Sequence, residues 1–235
     1  MSDPLVLSHA ALSPLWEGLD LRVRPGEFLT VLGPNGAGKS TLLSAIMGAR
    51  RLSAGTVRTT GAIGYIPQQR MFPPDLPLRA RDLVSLALRH GVLRARSPQR
   101  GEVDEALAAV GATGIAEHRV GLLSGGQQQL LRQAQALARR PALVLADEPL
   151  LSLDPAAQAA TVARLDAYRR SRDAAVVFVT HSINPVLGVT DRVLYLGPRG
   201  HLVGTVDEVM RSETLSALYG SRVDVVRVND RLVVL

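Results

Sequence analysis

Largely apolar runs at four places along the chain predict buried β-strands. Unbroken runs, rather than an alternation of apolar and polar positions, are typical of strands with both faces covered. The runs are Glu27–Leu32, Leu143–Ala146, Val176–Thr180 and Arg192–Leu196. Between these runs, apolar residues recur at helical spacing in Lys39–Met47 and Pro155–Arg170, which predicts two helices. Alternating strands and helices of this kind predict an α/β fold with a mainly parallel sheet.

The middle of the chain has few strand signals and is predicted to be helical. Pro67–Pro77 contains four prolines and predicts a surface loop. Helices are predicted after it at Ala80–His90 and Glu102–Val110, each followed by a glycine. A third helix is predicted from Ser124 to about Arg139, because the S-x-x-Q spacing at its start is that of a capping box.

The last residues of the chain predict a β-hairpin. Val223–Val228 and Arg231–Leu235 are rich in valine and flank the turn-forming pair Asn229–Asp230. Neither an internal repeat nor a heptad run is present in the sequence. The pattern therefore indicates one α/β domain with a helical part and a hairpin tail.

Composition narrows the class of protein. The 235 residues are 46% hydrophobic and 20% charged, which is typical of a soluble globular domain. No apolar run approaches the roughly 18–20 residues that span a bilayer, and the first residues do not resemble a signal peptide. The absence of cysteine excludes disulfides and thiolate metal sites. We therefore expect a cytoplasmic protein.

The net charge of +6 leaves two interpretations open. Arginines can be scattered over a solvated surface, or they can attract a nucleic acid or an anionic membrane. Lys39 is the only lysine in the chain. A lysine at this single position indicates a phosphate site. Its compact ammonium acts as a point charge for a phosphate group, and a planar guanidinium would not fit equally well.

Lys39 lies within a phosphate-binding loop, Gly33–Ser40, of the form G-x-x-x-x-G-K-[ST]. Glycines in such a loop allow backbone N–H groups to surround a β-phosphate, and the following helix adds its positive end. Lys39 is expected to reach the β- and γ-phosphates, and the Ser40 hydroxyl to ligate Mg²⁺. A chance match is expected on the order of once per hundred chains of this length. The predicted strand before the loop and helix after it favour the functional interpretation.

Three further candidates follow predicted strands. Asp147 and Glu148 end an apolar strand, and they are predicted to hold Mg²⁺ and to polarise the attacking water, respectively. His181 follows the strand Val176–Thr180. Carboxyl ends of parallel strands line the ligand crevice of such sheets, so Lys39, Glu148 and His181 are expected to lie close together.

The segment Leu123–Gln129, LSGGQQQ, resembles the signature of the ATP-binding cassette (ABC) transporter family and lies just upstream of the Asp147–Glu148 strand. Gln68 resembles the family's glutamine loop, with Gln69 as the less favoured neighbour. Asp154, in Ser152–Asp154, resembles its interface loop, and His181 its switch histidine. The chain is similar to the ATP-binding subunit of these transporters over nearly its whole length.

The resemblance implies a P-loop NTPase (RecA-like) core with a mainly parallel sheet, an N-terminal antiparallel β subdomain and an inserted α-helical subdomain. It further implies a single nucleotide-binding domain over residues 1–235, with the helical subdomain at about 76–135 and the tail at about 222–235. The implied cofactors are ATP and Mg²⁺, the latter held by Ser40, Gln68 and Asp147. Glu148, His181 and Gln68 are the implied catalytic residues. The implied nucleotide contacts are Gly33, Pro34, Asn35, Gly36, Ala37, Gly38, Lys39, Ser40, Thr41, Ser124, Gly125, Gly126, Gln127 and Asp154.

The resemblance also implies partners. Each ATP is expected to lie between Lys39 of one copy and Ser124 and Gly126 of a second copy, so that a monomer is inactive. Transmembrane permease subunits are expected to bind after Gln68, at residues 70–78, and an extracytoplasmic solute-binding protein acts indirectly. The chain is thus expected to be peripheral on the inner face of the cell membrane, with no nucleic-acid partner.

Segments outside these motifs are most similar to bacterial zinc and manganese importer cassettes. They are Leu76–Leu78, His181–Val186 and Glu213–Gly220. The five histidines lack ligand-like spacing, so the subunit itself is not expected to bind the cargo. The sequence leaves open a cassette for another solute, imported or exported, or a non-transport cassette such as one for iron–sulfur assembly or DNA repair. The other alternative is a regulatory nucleotide-binding protein that does not hydrolyse ATP. Glu148 argues against it, because such a protein needs no base at that position.

The sequence departs from the family at the adenine-stacking aromatic. The stretch where that residue is expected reads His9–Leu12, and Trp16 lies later. Either His9 or Trp16 takes its place, or stacking on the base is weak.

Overall fold

Strands and helices alternate through most of the computed structural model, which describes residues 2–68, 71–88, 100–229 and 231–235. The strands are β1 (Leu5–Leu12), β2 (Trp16–Val23), β3 (Phe28–Leu32), β4 (Ala54–Thr59), β5 (Ile63–Ile66), β6 (Leu143–Asp147), β7 (Ala175–Val179), β8 (Arg192–Gly197), β9 (Gly200–Gly204), β10 (Val225–Val228) and β11 (Arg231–Val234). The helices are α1 (Lys39–Ile46), α2 (Ala80–Leu88), α3 (Arg100–Ala108), α4 (Gly125–Leu137), α5 (Pro155–Arg172), α6 (Val206–Val209) and α7 (Ser212–Tyr219). Short 3-10 segments lie at Thr113–Ile115, Val120–Leu122 and Asn184–Val189.

A six-stranded sheet in the order β5-β6-β7-β3-β8-β9 forms the centre of the fold. Its first five strands pair in parallel, and β9 pairs antiparallel with β8. Strands β3, β6 and β7 are buried at every residue. The four predicted buried strands and the mainly parallel sheet are therefore confirmed, with ends shifted by one residue in places. Strand β9 was not predicted, because it is short, half-exposed and bounded by glycines.

Successive residues of the central strands face two different parts of the core. Leu143 and Leu145 pack with α1 and the N-terminal strands, whereas Val144 and Ala146 pack toward the helices of the other face. The alternation follows from the two-residue period of a strand. Both faces are covered, which explains the unbroken apolar runs in the sequence.

A second sheet, in the order β2-β1-β4, lies on the side of α1. Its strands pair antiparallel, which confirms the expected N-terminal antiparallel part of the fold. Helices α2, α3 and α4 lie between β5 and β6 along the chain and contact one another.

Helix α4 has the predicted capping box. The Ser124 N–H donates to Gln127 Oε1 at 3.0 Å, and the Gln127 N–H donates to Ser124 Oγ at 3.3 Å. This helix ends at Leu137, two residues before the predicted end. Helix α3 begins and ends two residues earlier than predicted. The predicted end of α2 at His90 lies outside the described residues, as does Gln69.

The predicted terminal hairpin is present as β10 and β11, which pair antiparallel. Its turn includes Asn229 in the left-handed region at φ 46°. Within the part of the chain that the structure describes, no helix has the length and apolar character needed to cross a bilayer.

Candidate functional site

The loop between β3 and α1 requires glycine at particular positions. Gly33, Gly36 and Gly38 have φ values of 145°, 83° and 88°, which side chains rarely adopt. A Cβ at Gly33 would collide with the carbonyl oxygen of Leu196 on β8. The backbone of the loop therefore turns at the carboxyl end of β3 in a conformation that requires glycine, and the N-terminus of α1 faces it.

Lys39 is buried at the first position of α1. Its ammonium donates to the carbonyl oxygens of Gly33 at 2.9 Å and Pro34 at 3.0 Å, so the side chain curls back under the loop. Burial lowers the pKa of Lys39, and the carboxylates of Glu148 and Asp147 act in the opposite direction. Among the described residues, the hydrogen-bond partners of the Lys39 ammonium are these two neutral carbonyls, an arrangement that suits a phosphate group.

Asp147 ends β6 and joins two elements through its carboxylate. Ser40 Oγ donates to Asp147 Oδ1 at 3.0 Å, and Tyr65 Oη lies 3.4 Å from Oδ2. The residue is 4% exposed, and burial raises the pKa of its carboxyl group despite the bonds from Ser40 and Tyr65. A hydroxyl and a carboxylate oxygen beside a phosphate cradle are the ligand types that Mg²⁺ prefers. These residues fit the ion.

Glu148 leaves the strand direction immediately after Asp147. Its backbone is left-handed, with φ 44°, while its N–H still donates to Val179 O on β7 at 3.0 Å. The side chain is 17% exposed, and its Oε2 lies 3.9 Å from Nδ1 of His181, whose side chain is 61% exposed. The structure therefore brings together Lys39, Ser40, Asp147, Glu148 and His181 at one edge of the sheet.

The remaining predicted residues lie elsewhere. Gln68 is exposed two residues past β5, the edge strand beside β6. Asp154 caps α5, accepting from Ala157 N at 2.9 Å. In the described part of the chain, the side-chain hydrogen bonds of Ser124 and Gln127 stay within the cap of α4. Among the described residues, no hydrogen bond or ion pair joins Gln68, Ser124 or Asp154 to the cluster around Lys39.

The candidates for adenine stacking differ in their surroundings. Trp16 is 5% exposed within the core, and a Cβ at Gly38 would lie 3.0 Å from its Nε1. A base cannot stack on this ring unless the ring moves. His9 is exposed, with Nδ1 3.2 Å from Asp20 Oδ2. His9 or weak stacking therefore remain as the alternatives.

Sequence reasoning missed Tyr65 and Leu15 as neighbours of the site. Tyr65 lies on β5, and its hydroxyl contacts Asp147. Leu15 packs where a Cβ of Gly38 would lie. Both contacts depend on strand pairing and on the packing of the N-terminal sheet, and no local motif indicates them.

Comparison with known proteins identifies this arrangement. The family model described as ABC transporter matches residues 16–151, a span that contains the phosphate loop, Ser124 and Glu148. This chain belongs to the ABC transporter family. It is the ATP-hydrolysing cassette of that family, as the sequence resemblance implied. The expected fold class and the expected use of ATP are confirmed.

Curated relatives of the cassette cover most of its length. It is 38% identical over 218 residues to the "Zinc import ATP-binding protein ZnuC" of Paramagnetospirillum magneticum, covering 92% of this chain and 80% of that one. It is 36% identical to the protein of the same name from Ruegeria sp., covering 89% and 82%. It is 33% identical to the "Zinc transport system ATP-binding protein TroB" of Treponema pallidum, covering 94% and 86%.

Solved structures share the fold of the cassette. One is described as an inward-facing metal-chelate type ABC transporter, with a TM-score of 0.85, 27% identity and coverage of 99% of this chain and 96% of the other. CbiO1 from Clostridium perfringens, part of the ABC transporter complex CbiONQ, matches with a TM-score of 0.74 over 92% and 94% of the two chains. Its 21% identity makes it a likeness of fold alone.

Proposed function

We propose that this cassette hydrolyses ATP to power the uptake of a divalent metal ion, with zinc as the first candidate and manganese as the second. Three relatives at 33–38% identity are named for zinc import or zinc transport, and each is matched over at least 80% of its length. The segments at 76–78, 181–186 and 213–220, noted in the sequence as metal-importer-like, support the same cargo.

The pair of adjacent carboxylates carries the proposal of hydrolysis. Asp147 is buried and bonded to Ser40, which suits a Mg²⁺ ligand, whereas Glu148 is turned toward His181 and suits a base that polarises water. Bound Mg²⁺ supplies neutralisation of charge on the β- and γ-phosphates. Lys39 and the start of α1 hold the phosphates, His181 orients groups at the γ-phosphate, and Gln68 approaches the metal from β5.

A second copy of the chain completes the site in this proposal. Gly125 and Gly126 are the first residues of α4, after the N-cap Ser124, and the N–H groups at a helix start have no partner within the helix and attract an anion. In the described chain the side-chain bonds of Ser124 and Gln127 stay within this cap, which supports the proposal that the N–H groups serve the phosphate loop of a partner copy. Asp154 lies at the start of α5, from which it approaches the same interface.

The loop after Gln68 is the proposed contact with transmembrane permease subunits, over residues 71–78 of the described chain and the preceding Arg70. Met71 is an exposed apolar residue in this loop. The cassette is thereby placed peripherally on the cytoplasmic face of the membrane. An extracytoplasmic solute-binding protein acts only through the permease, which selects the cargo.

The test is transport by the assembled complex. The chain is co-purified with its permease, reconstituted in vesicles, and assayed for ATP-dependent uptake of zinc, of manganese and of a non-metal solute. Uptake of zinc or manganese that is lost with Glu148→Gln, while ATP still binds, supports the proposal. ATP turnover without metal uptake, or uptake of a non-metal solute alone, would contradict the proposed cargo.

A further inference from the structure

The C-terminal hairpin has no part in the function proposed so far. A two-stranded hairpin is at best marginally stable alone, so its position depends on contacts with the rest of the chain. Leu232 is buried against the main core, and the Val225 N–H donates to Ser212 Oγ at 2.9 Å. The hairpin is therefore packed against the rest of the chain. Its open end, at Val225, is bonded to Ser212 at the start of α7, and the end near the turn is held at Leu232.

The end at Leu232 is held by the side chain of Asn184. Asn184 Nδ2 donates to Leu232 O at 2.9 Å, and the Leu232 N–H donates to Asn184 Oδ1 at 2.8 Å. The amide thus reproduces the reciprocal pair of bonds that a neighbouring strand would make. Of the side chains of this size, only asparagine donates and accepts in this way.

Asn184 lies three residues after His181, in the loop that follows β7. The side chain of His181 is mostly exposed, so its position depends on the backbone of that loop. Thr180 Oγ1 donates to Ser182 O at 3.0 Å and closes the turn on one side of His181, and Ile183 is buried on the other side. The bonds between Asn184 and Leu232 are the link between this loop and the hairpin.

The hairpin also borders the phosphate loop. A cleft of about 480 Å³ is lined by Gly33–Asn35, by His181–Asn184 and by Leu232–Val234. Strand β11, the histidine loop and the first residues of the phosphate loop therefore share one cleft. Movement of the hairpin changes the wall of this cleft and the support of His181 together.

We propose that the hairpin β10–β11 is a positioning element for His181, acting through the paired hydrogen bonds of Asn184 with Leu232. The inference rests on the role proposed above for His181. Displacement of a positioned group by about 1 Å costs up to roughly 10²-fold in rate. Because Thr180 and Ile183 still hold the loop, we expect kcat to fall only about tenfold when the hydrogen bonds between Asn184 and Leu232 are removed.

The experiment compares Asn184→Ala and Asn184→Asp with Ser212→Ala in the full chain. Asn184→Ala removes both bonds, and Asn184→Asp keeps an acceptor for the Leu232 N–H but faces its carbonyl with a carboxylate. Ser212→Ala removes one bond to the hairpin at its other end. We expect kcat for ATP to fall about tenfold in both Asn184 variants, with KM unchanged, and kcat to be retained in Ser212→Ala.

A second readout reports His181 directly. The ¹⁵N resonances of its ring, assigned by their loss in His181→Gln, are recorded without nucleotide. The Asn184 variants are expected to shift them, and Ser212→Ala is not. Unchanged resonances and kcat in the Asn184 variants, or an equal loss in Ser212→Ala, would overturn the proposal. A shifted resonance with unchanged kcat would instead retain the link and refute the role proposed for His181.

Discussion

Two adjacent carboxylates at the end of β6 have different surroundings and therefore different capacities. Asp147 is almost fully buried between Ser40 and Tyr65, and burial raises the pKa of its carboxyl group. Glu148 has a left-handed backbone, which costs about 1–3 kcal/mol for a residue other than glycine. That conformation turns its side chain toward His181. These surroundings support the proposed roles of Asp147 as a cation ligand and of Glu148 as the base that polarises water.

Asp147→Asn tests the first of these roles. A raised pKa means that the charged form is disfavoured in the folded state, so a neutral amide is expected to keep or raise the thermal midpoint without nucleotide. Asn still accepts from Ser40. With Mg-ATP at about a hundred times its Kd, the thermal midpoint of the wild type should rise by about 5–10 °C. The midpoint of Asp147→Asn should rise much less, and scanning calorimetry measures both. Glu148→Gln is the control that keeps the gain; an equal gain in Asp147→Asn would exclude Asp147 as a ligand.

Gly38→Ala tests the geometry of the phosphate loop. Gly38 has φ 88°, and an added Cβ would lie 3.0 Å from Leu15 Cδ1 and Trp16 Nε1. The loop must shift, and we expect the Kd for ATP to rise about tenfold, by calorimetric titration, which corresponds to about 1.4 kcal/mol. Gly48→Ala is the matched control, because φ is 73° there but the Cβ meets no atom within 4 Å. Equal Kd values in the two variants would contradict the prediction.

Motifs with fixed spacing could be predicted at the scale of residues, and contacts across the fold could not. The phosphate loop is set by local backbone requirements, so Gly33–Ser40 identify it from the sequence. Tyr65 reaches Asp147 only because β5 pairs with β6, with Tyr65 opposite Leu145. No local pattern contains that pairing.

Helix α4 joins its capped start to the loop after Gln68 through one buried side chain. Gln128 is 1% exposed, accepts from Phe72 N at 2.9 Å, and donates to the carbonyls of Val120 at 3.2 Å and Leu123 at 3.1 Å. All three of these bonds are to backbone groups. The segment before Ser124 and the proposed permease-binding loop are therefore held as a unit.

Gln128→Met should destabilise the protein, because the Phe72 N–H and the Leu123 carbonyl lose the bonds that Gln128 makes to them, whereas the Val120 carbonyl still accepts from Leu123 N at 3.3 Å. Each unsatisfied group costs about 1–3 kcal/mol, so we expect a total loss of about 2–4 kcal/mol, measured by urea unfolding. Gln135→Met is the control on the same helix, since Gln135 is half-buried with a single bond to Leu83 O at 3.4 Å. A loss below about 1 kcal/mol for Gln128→Met, or equal losses in both, would contradict this account.

At the scale of elements, the sequence predicts the strands and helices that have a regular apolar pattern, and it does not predict strands whose pattern is interrupted by bulges. Strands β3, β6 and β7 are buried on both faces, and their unbroken apolar runs located them. Strand β1 has register shifts on both edges, and on each edge one of them spans His9, whose backbone is left-handed. Such bulges interrupt alternation, so the N-terminal sheet was expected only from the family resemblance.

Over the whole molecule, the groups that we propose to act in hydrolysis lie in two places. The cluster of Lys39, Asp147 and Glu148 lies at the carboxyl edge of the central sheet, while Ser124 starts α4 and keeps its side-chain bonds within its own cap. Leu122, beside this cap, is 73% exposed. In the proposed site, the phosphate loop of one copy meets the helix start of a second copy related by symmetry.

The mass of Glu148→Gln in solution tests this central claim most directly. The variant keeps Lys39, Ser40 and Asp147 but lacks the proposed base, so bound ATP persists. With Mg-ATP, light scattering should show the mass doubling from 25.1 kDa, and Ser124→Glu in the same chain should abolish the doubling by placing a carboxylate opposite the phosphates. A mass that stays at 25.1 kDa while ATP is bound would contradict the two-copy site.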